Sequence, residues 1–502
     1  MSATKWLILG GSVLVVGAIG FGILAAYSEP ILRERAIRML ERRFDSNVEL
    51  GSLRISLWPG IGATGTGLVL HRKDDPAGPP PITIKSFTVS TGLMELLRPT
   101  PHIHYVRLEG LEINVAAHRD GRTGLPADGS PHIEVSEIDT DDALLRILPR
   151  VPGKEPLLFN IHQLTMRTVA RNQPMSFVTT LRNAKPPGEI HSSGSVGPWQ
   201  EKDPGLTPVA GSYTFENANL GVFKGISGIL SSRGKYNGTL DHIEVNGDTD
   251  TPDFTVRVRG SPVDLKTTFH SIVDGTNGDT LLQPVDAHFG HSTIHCEGGV
   301  VHDEGEDGKT VSLNITVIDG RIEDMLRLAL KSDKPMMTGS VHFHAKFELP
   351  PGDRDIPDRL NLDGTFGVGG AHFTSSDLQG KVASLSHRAQ GSPEETGGTV
   401  ASDLKGSFIL KDGVVTFSRL SFGVPGAGIV LSGDYNLDNE QLDLRGTARM
   451  QAELSRMTTG WKSMLLKIAD PFFRKNGAGA VIPFKITGSR ENPSVGLDFR
   501  KP

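Results

Sequence analysis

The chain has 502 residues, a net charge of −6 and basic residues spread along its length, so it presents no basic field for nucleic acid. Hydrophobic residues make up 37% of it, which excludes general disorder; 59 glycines and 32 prolines exceed the average share of about 12% without reaching the roughly 25–30% of low-complexity chains. A turn-dense β protein fits that balance, and a single cysteine, Cys296, excludes an intramolecular disulfide framework.

Residues 6–27, WLILGGSVLVVGAIGFGILAAY, run 22 positions without a charge. As a helix at ~1.5 Å per residue this stretch is roughly 33 Å long, enough for a bilayer core. A cleavable signal peptide is the competing reading, but its apolar region is usually about half this length and the following Tyr27, Ser28 and Glu29 make a poor small-x-small cleavage site. An uncleaved anchor over 1–28 is therefore expected. Its sidedness stays open, because Lys5 precedes the span while Arg33, Arg35, Arg38, Arg42 and Arg43 follow it, interleaved with Glu29, Glu34 and Glu41.

Next comes EPILRERAIRMLERRFD, with Ile31, Leu32, Ala36, Met39, Leu40 and Phe44 near one helical side: a short amphipathic helix. From Val48 the period becomes two, as in VELGSLRISLWPG, ITIKSFTV and VRLEGLEINV, which read as strands. Brief helices are expected at 92–99, 141–150 and 321–330, and long loops near 74–81, 119–131, 185–208 and 349–357. An apolar-x-Gly-x-aromatic-x-apolar pattern recurs at Val209–Phe215, Leu362–Val368, Leu404–Leu410 and Leu431–Leu437, with a variant at Met337–Phe343. Glycine and aromatic share a face at period two, the glycine permitting a bend and the ring covering bare backbone, as in curved sheets. Spacings between copies vary, so no fixed-period solenoid follows.

The stretch Leu431–Gln451 divides into two alternating halves: Leu431, Gly433, Tyr435 and Leu437 share one face, and Leu442, Leu444, Gly446, Ala448 and Met450 share another, with polar residues opposite. After it, Leu454, Met457, Trp461, Met464, Leu465 and Ile468 line one side of a basic amphipathic helix, suited either to a membrane or groove end or to plugging a β core. AVIPFKITGSRENPSVGLDF then supplies two closing strands. The fold class expected is mostly β: an anchor followed by a long, curved, mainly antiparallel sheet with short amphipathic helices, divided as 1–28 anchor, 29–200 amino-terminal β region, 201–450 β-groove repeats, and 451–502 helix and closing strands.

Chemistry is hard to find. There is no G-x-S-x-G elbow, no Walker A and no HExxH. The densest ligand-type group is His288, His291, His295 and His302 beside Cys296; read as one strand, His291 and His295 share a face and His288 points away, which suits no compact zinc site. The pairs His102/His104 and His342/His344 share strand faces, but two ligands do not close a site. No catalytic residue, metal or cofactor is assigned, and the chain is not expected to be an enzyme.

As a whole the chain resembles the AsmA-like family of bacterial envelope proteins. The resemblance rests on FDSNVELGSLRISLWPGIGATGTGLVL and HIHYVRLEGLEINV after the anchor, then GKYNGTLDHIEVNGDTDTPDF, LKGSFILKDGVVTFSRLSFGVPGAGIVLSGDYNLDNEQLDLRG and GAGAVIPFKITGSRENPSVGLDF. It implies a single-pass inner-membrane protein with its bulk in the periplasm, of the bridge-like lipid-transfer class, shielding phospholipid acyl chains between inner and outer membranes. On this reading Phe408, Leu410, Phe417, Leu431, Tyr435, Leu437, Leu442, Leu444 and Met450 line the groove. The partners implied are phospholipids and the inner membrane, with outer-membrane or periplasmic proteins beside them. The same alternation equally suits a filled β-sandwich, and a non-enzymatic scaffold or outer-membrane assembly factor that binds partners through strand edges is the alternative function.

Overall fold

The computed structural model describes residues 29–44, 46–56, 61–73, 78–96, 102–116, 134–148, 157–170, 172–200, 203–256, 260–302, 308–330, 334–392, 400–452, 480–489 and 493–498. The expected anchor at 1–28 and the helix carrying Leu454 to Ile468 lie outside them, as does the loop at 119–131. No helix among the described residues is long and apolar enough to cross a membrane. Their 25 strands form one mixed, mostly antiparallel sheet with few helices, and the chain divides into two compact units: Met1–Asn219 with Leu230–Gly247 and Ile272–Gly278, and Leu220–Ile229 with Asp248–Ser271 and Asp279–Pro502.

In the first unit, helix α1 (Glu29–Phe44) leads into β1 (Ser46–Glu49) and β2 (Ser52–Ser56), which both pair with β3 (Ile61–Arg72). β4 (Ile82–Thr91), the short α2 (Leu93–Leu96) and β5 (His102–Ala116) follow. β6 (Glu134–Leu148) then pairs with β5 in parallel, before β7 (Leu157–Val169), β8 (Met175–Ala184), β9 (Pro187–Val196) and β10 (Pro208–Asn219) continue as antiparallel neighbours.

Two expectations are corrected here. Residues 141–150 were expected to be helical because Leu144, Leu145, Ile147 and Leu148 fall at helical spacings. Those described instead end β6, which has a ladder partner on each flank, so its backbone hydrogen bonds are already committed. The expected loop at 185–208 contains β9, whose HSSGSV offers too few apolar residues for alternation to show.

Cross-strand register stacks apolar residues in the first unit: Val48, Leu70, Ile82 and Ile113 oppose one another in turn, as do Leu68, Ile84 and Leu111, and Ala63, Val89 and Val106. All lie in one buried cluster, which Ala36 and Leu40 of α1 join. The other face of β5, β6 and β7 is wet. There Arg107 Nη2 donates to Asp141 Oδ2 at 2.6 Å, Arg167 Nε donates to Glu137 Oε2 at 2.9 Å, and Tyr105 and Thr165 donate to Asp139 at 3.0 and 2.7 Å.

The remaining strands are β11 (Ile226–Ser227), β12 (Ile229–Thr239), β13 (His242–Val256) and β14 (Val263–Val273), followed by β15 (Thr280–Phe289), β16 (Ser292–Val301) and β17 (Thr310–Arg321). Helix α3 (Ile322–Ala329) continues directly from β17; β18 (Met337–Leu349), the short α4 (Ile356–Arg359), β19 (Asn361–Phe373) and helix α5 (Ser376–Gln390) come next. β20 (Ser402–Lys411), β21 (Val414–Val424), β22 (Ala427–Asn436), β23 (Gln441–Met450), β24 (Ala480–Ser489) and β25 (Pro493–Leu497) complete the second unit. From β15 to β25 each strand pairs antiparallel with the next, as hairpins require.

The glycine–aromatic pattern has a different geometry from the one expected. A ring covers not its own strand's glycine but one on a neighbouring strand: a Cβ at Gly406 would lie 2.5 Å from Phe366 Cε1, one at Gly234 would lie 2.8 Å from Tyr213 Cε1, and one at Gly211 would lie 2.7 Å from Tyr236 Cζ. The reason is distance. Directly opposite residues stand about 4.5–5.5 Å apart, whereas i and i+2 on one strand stand nearly 7 Å apart.

Candidate functional site

Reading register across the second unit assembles its inward residues into rows that cross the strands. The first row contains Leu313, Phe347, Leu362, Leu410, Tyr435 and Leu442; the second contains Ile315, Ala345, Phe408, Phe417, Leu444 and Ile486. A third holds Phe343, Phe366, Leu420, Leu431 and Phe484, and ends at Leu497. Beyond it lie a fourth row with Val341, Val368, Ile429 and Ala448 and a fifth with Val424, Ala427 and Met450. Bulges opposite Ser407 and at Phe417/Leu420 let both Phe417 and Leu420 face inward despite their odd spacing.

The rows differ in what covers them. Val382, Leu385 and Ala389 of α5 pack on the fourth and fifth rows at β21 to β24, while Ile322 and Met325 of α3 pack on Val317, Val341 and Val368. No member of the first two rows belongs to one of the buried clusters among the described residues; nine of the twelve are half-buried, Phe408, Phe417, Tyr435, Leu442 and Ile486 among them, while Ala345, Leu410 and Leu444 are buried. Val495 and Leu497, where the second and third rows reach β25, are 67% and 49% exposed. Rings thicken the middle of the wall: Phe408 stacks with Phe343 at 6.0 Å between centroids and tilts against Phe366 at 6.1 Å.

The residues singled out from the sequence are thus sorted by place. Phe408, Leu410, Phe417, Tyr435, Leu442 and Leu444 fall on the first two rows, Leu431 on the third, and Met450 under α5 on the fifth. Leu437 lies past the end of β22 in the turn, its N–H donating to Gly413 O at 2.8 Å. Sequence reading missed Phe343, Phe366, Phe484 and Ile486, whose strands were recognised but whose neighbours were not; alternation gives a face, and only register gives a row.

Charge stays on the opposite face, where Thr416 donates to Asp434 at 2.7 Å and Arg445 Nε sits 3.4 Å from Asp443 Oδ1. The histidine group is corrected in detail. Gly290 and His291 form the turn between β15 and β16, so His288 and His295 come to share the outer face and His291 leaves it. His295 Nδ1 pairs with Asp286 at 2.7 Å, while Cys296 faces inward between Val285 and Ile315. Burial, with Asp286 adding to it, pushes the Cys296 thiol up to about 11. Among the described residues no group of three His, Cys, Asp or Glu side chains is placed to hold a metal ion. The two rows offer hydrocarbon surface. No family model, curated protein or solved structure matches the chain.

Proposed function

We propose that the chain is an anchored carrier of phospholipid acyl chains, of the AsmA-like, bridge-like kind, working in the periplasm from the inner membrane. The observation that carries this reading is the pair of apolar rows, nine of whose twelve named side chains are half-buried, that join none of the buried clusters under α3 and α5. Each methylene laid against such a surface and removed from water contributes about 0.8 kcal/mol, so a two-chain lipid is held without a polar contact and headgroup selectivity is weak. The apolar stretch at 6–27 supports the anchoring, and the resemblance supports the compartment.

The test is binding of parinaric acid, which fluoresces in apolar surroundings, to the purified chain. Phe408→Asp places a charge where a chain must lie and is expected to weaken binding at least about tenfold, because an unpaired carboxylate resists desolvation. Ile409→Asp is the control: Ile409 is 50% exposed on the other face, and binding should be unchanged. Equal binding by the wild type and a folded Phe408→Asp chain would remove these rows from the proposal. Strand-edge scaffolding is the second reading, favoured by the exposed apolar residues of β25; it requires a protein partner and no lipid dependence.

A further inference from the structure

We infer that the outer face of β20 to β24 is a docking surface for a membrane rich in anionic phospholipid, met by five cations: Lys405, Arg419, Arg445, Arg449 and Lys485. The choice of a lipid surface rests on the carrier reading above, since a carrier has to meet the membrane it serves. Register sets these side chains on three adjoining outer rows. The first holds Arg419, opposite Ser407, with Ser432, Arg445 and Lys485; the second runs Lys405, Ser421, Val430, Thr447; the third runs Asp403, Gly423, Gly428, Arg449. Strands ~4.8 Å apart and rows about 6.8 Å apart make one patch of them.

Stability does not account for this arrangement. Arg445 and Lys485 stand directly opposite each other, where like charges repel. Among the described residues Lys405, Arg419, Arg449 and Lys485 make no ion pair, and Arg445 has only Asp443 Oδ1, at 3.4 Å on its own strand. On the solvent face of the first unit the same residue type is neutralised from the next strand: Arg107 meets Asp141 and Arg167 meets Glu137. Acids of β20 to β24 and their turns lie mostly off the patch. Asp434 and Asp443 face each other one row beyond Arg445, and Asp412, Asp438 and Glu440 occupy the turns past them. Asp403, the one carboxylate on the three rows, accepts from Gly370 N–H at 3.3 Å.

Phosphate on an extended surface suits this patch. The cations come from four strands, and a methyl group added at Gly428 would meet nothing within 4 Å, so bare backbone leaves room beside Arg449. The hydroxyls of Ser432 and Thr447 stand among the cations and can donate to phosphate oxygen. Each cation near an anionic leaflet strengthens attachment about fivefold, within a Debye length of about 8–10 Å.

The experiment holds the full chain in bead-bound phosphatidylcholine vesicles and counts the labelled acceptor vesicles it captures. Acceptors containing phosphatidylglycerol should be captured and those of phosphatidylcholine alone should not, with capture falling as salt rises. Arg445→Gln with Lys485→Gln should weaken capture about 25-fold, two steps of about fivefold. Arg445→Lys with Lys485→Arg keeps the charge and should leave capture intact. Lys346→Gln with Lys411→Gln removes equal charge from exposed positions of the same face outside the patch, and capture should persist. Equal capture of the two acceptors, or equal loss from both glutamine pairs, would overturn the proposal. So would binding of soluble polyglutamate in preference to vesicles, which would assign the patch to an acidic protein. Failure of the carrier reading looks different: parinaric acid would not bind the wild type, while phosphatidylglycerol vesicles would still be captured.

Discussion

Ile84 and Phe408 hold corresponding places in the two units, each an inward residue in mid-strand with a hydrogen-bonded neighbour on both sides. Ile84 is fully buried between Leu68 and Leu111, whereas Phe408, between Gly364 and Phe417, is half-buried. Their strands alternate equally well, so alternation is not what separates them. In the first unit the inward positions are filled by Leu, Ile and Val that meet Ala36 and Leu40 of α1, and hydrocarbon packs on hydrocarbon. In the second, α3 and α5 pack on the fourth and fifth rows, and Phe343, Phe366 and Phe484 of the third row pack against the same clusters. An apolar face closed by its own chain is a core; one that its own chain closes less completely keeps apolar surface exposed.

The largest effect should come from equal truncations in the two units. Ile84→Ala removes fully buried methyl groups and should cost about 2–5 kcal/mol, whereas Leu442→Ala, on the half-covered first row, should cost less than about 2 kcal/mol. Chemical denaturation, with hydrogen exchange to assign each loss to its unit, measures both. Equal costs would mean that the second unit is packed as tightly as the first.

Gly406→Ala ranks next. The new Cβ would displace Phe366, which stacks into the aromatic cluster, and overpacking of this kind costs about 1–3 kcal/mol. Phe366→Leu should recover part of the loss by vacating the space above Gly406; no recovery in the double variant would separate the ring from the glycine's role.

A smaller effect is expected in alkali. Burial raises both the Cys296 thiol, to about 11, and the Tyr236 phenol. A group whose value is raised in the folded state stabilises fully below its unfolded value and ceases to do so as pH climbs through the folded one. For Cys296 the loss therefore runs from pH 9 to about 11, and Cys296→Ala should flatten that part of the stability profile. A pH profile unchanged by the substitution would mean that the thiol titrates as if exposed.

The smallest effect belongs to Ser402. Its hydroxyl is buried with no hydrogen-bond partner beside Ala371, so Ser402→Ala should be neutral or stabilising by up to about 1 kcal/mol. A loss above that figure in thermal unfolding would reveal a polar contact made by Ser402.

The sequence alone determined that the chain is β-rich, that its strands form hairpins, and which face of each strand is apolar, since side-chain direction alternates with every residue whatever the neighbours do. It also marked Phe408, Leu442 and Leu444 as inward, but could not separate Met450 from them, because all share the same alternation. Only the tertiary structure decided that Met450 lies under α5, that β6 is a strand despite its helical spacing, and that Phe366 covers Gly406. Register, parallel pairing and the seating of a helix depend on contacts between residues distant in the chain, and local pattern carries no information about which distant strand supplies them.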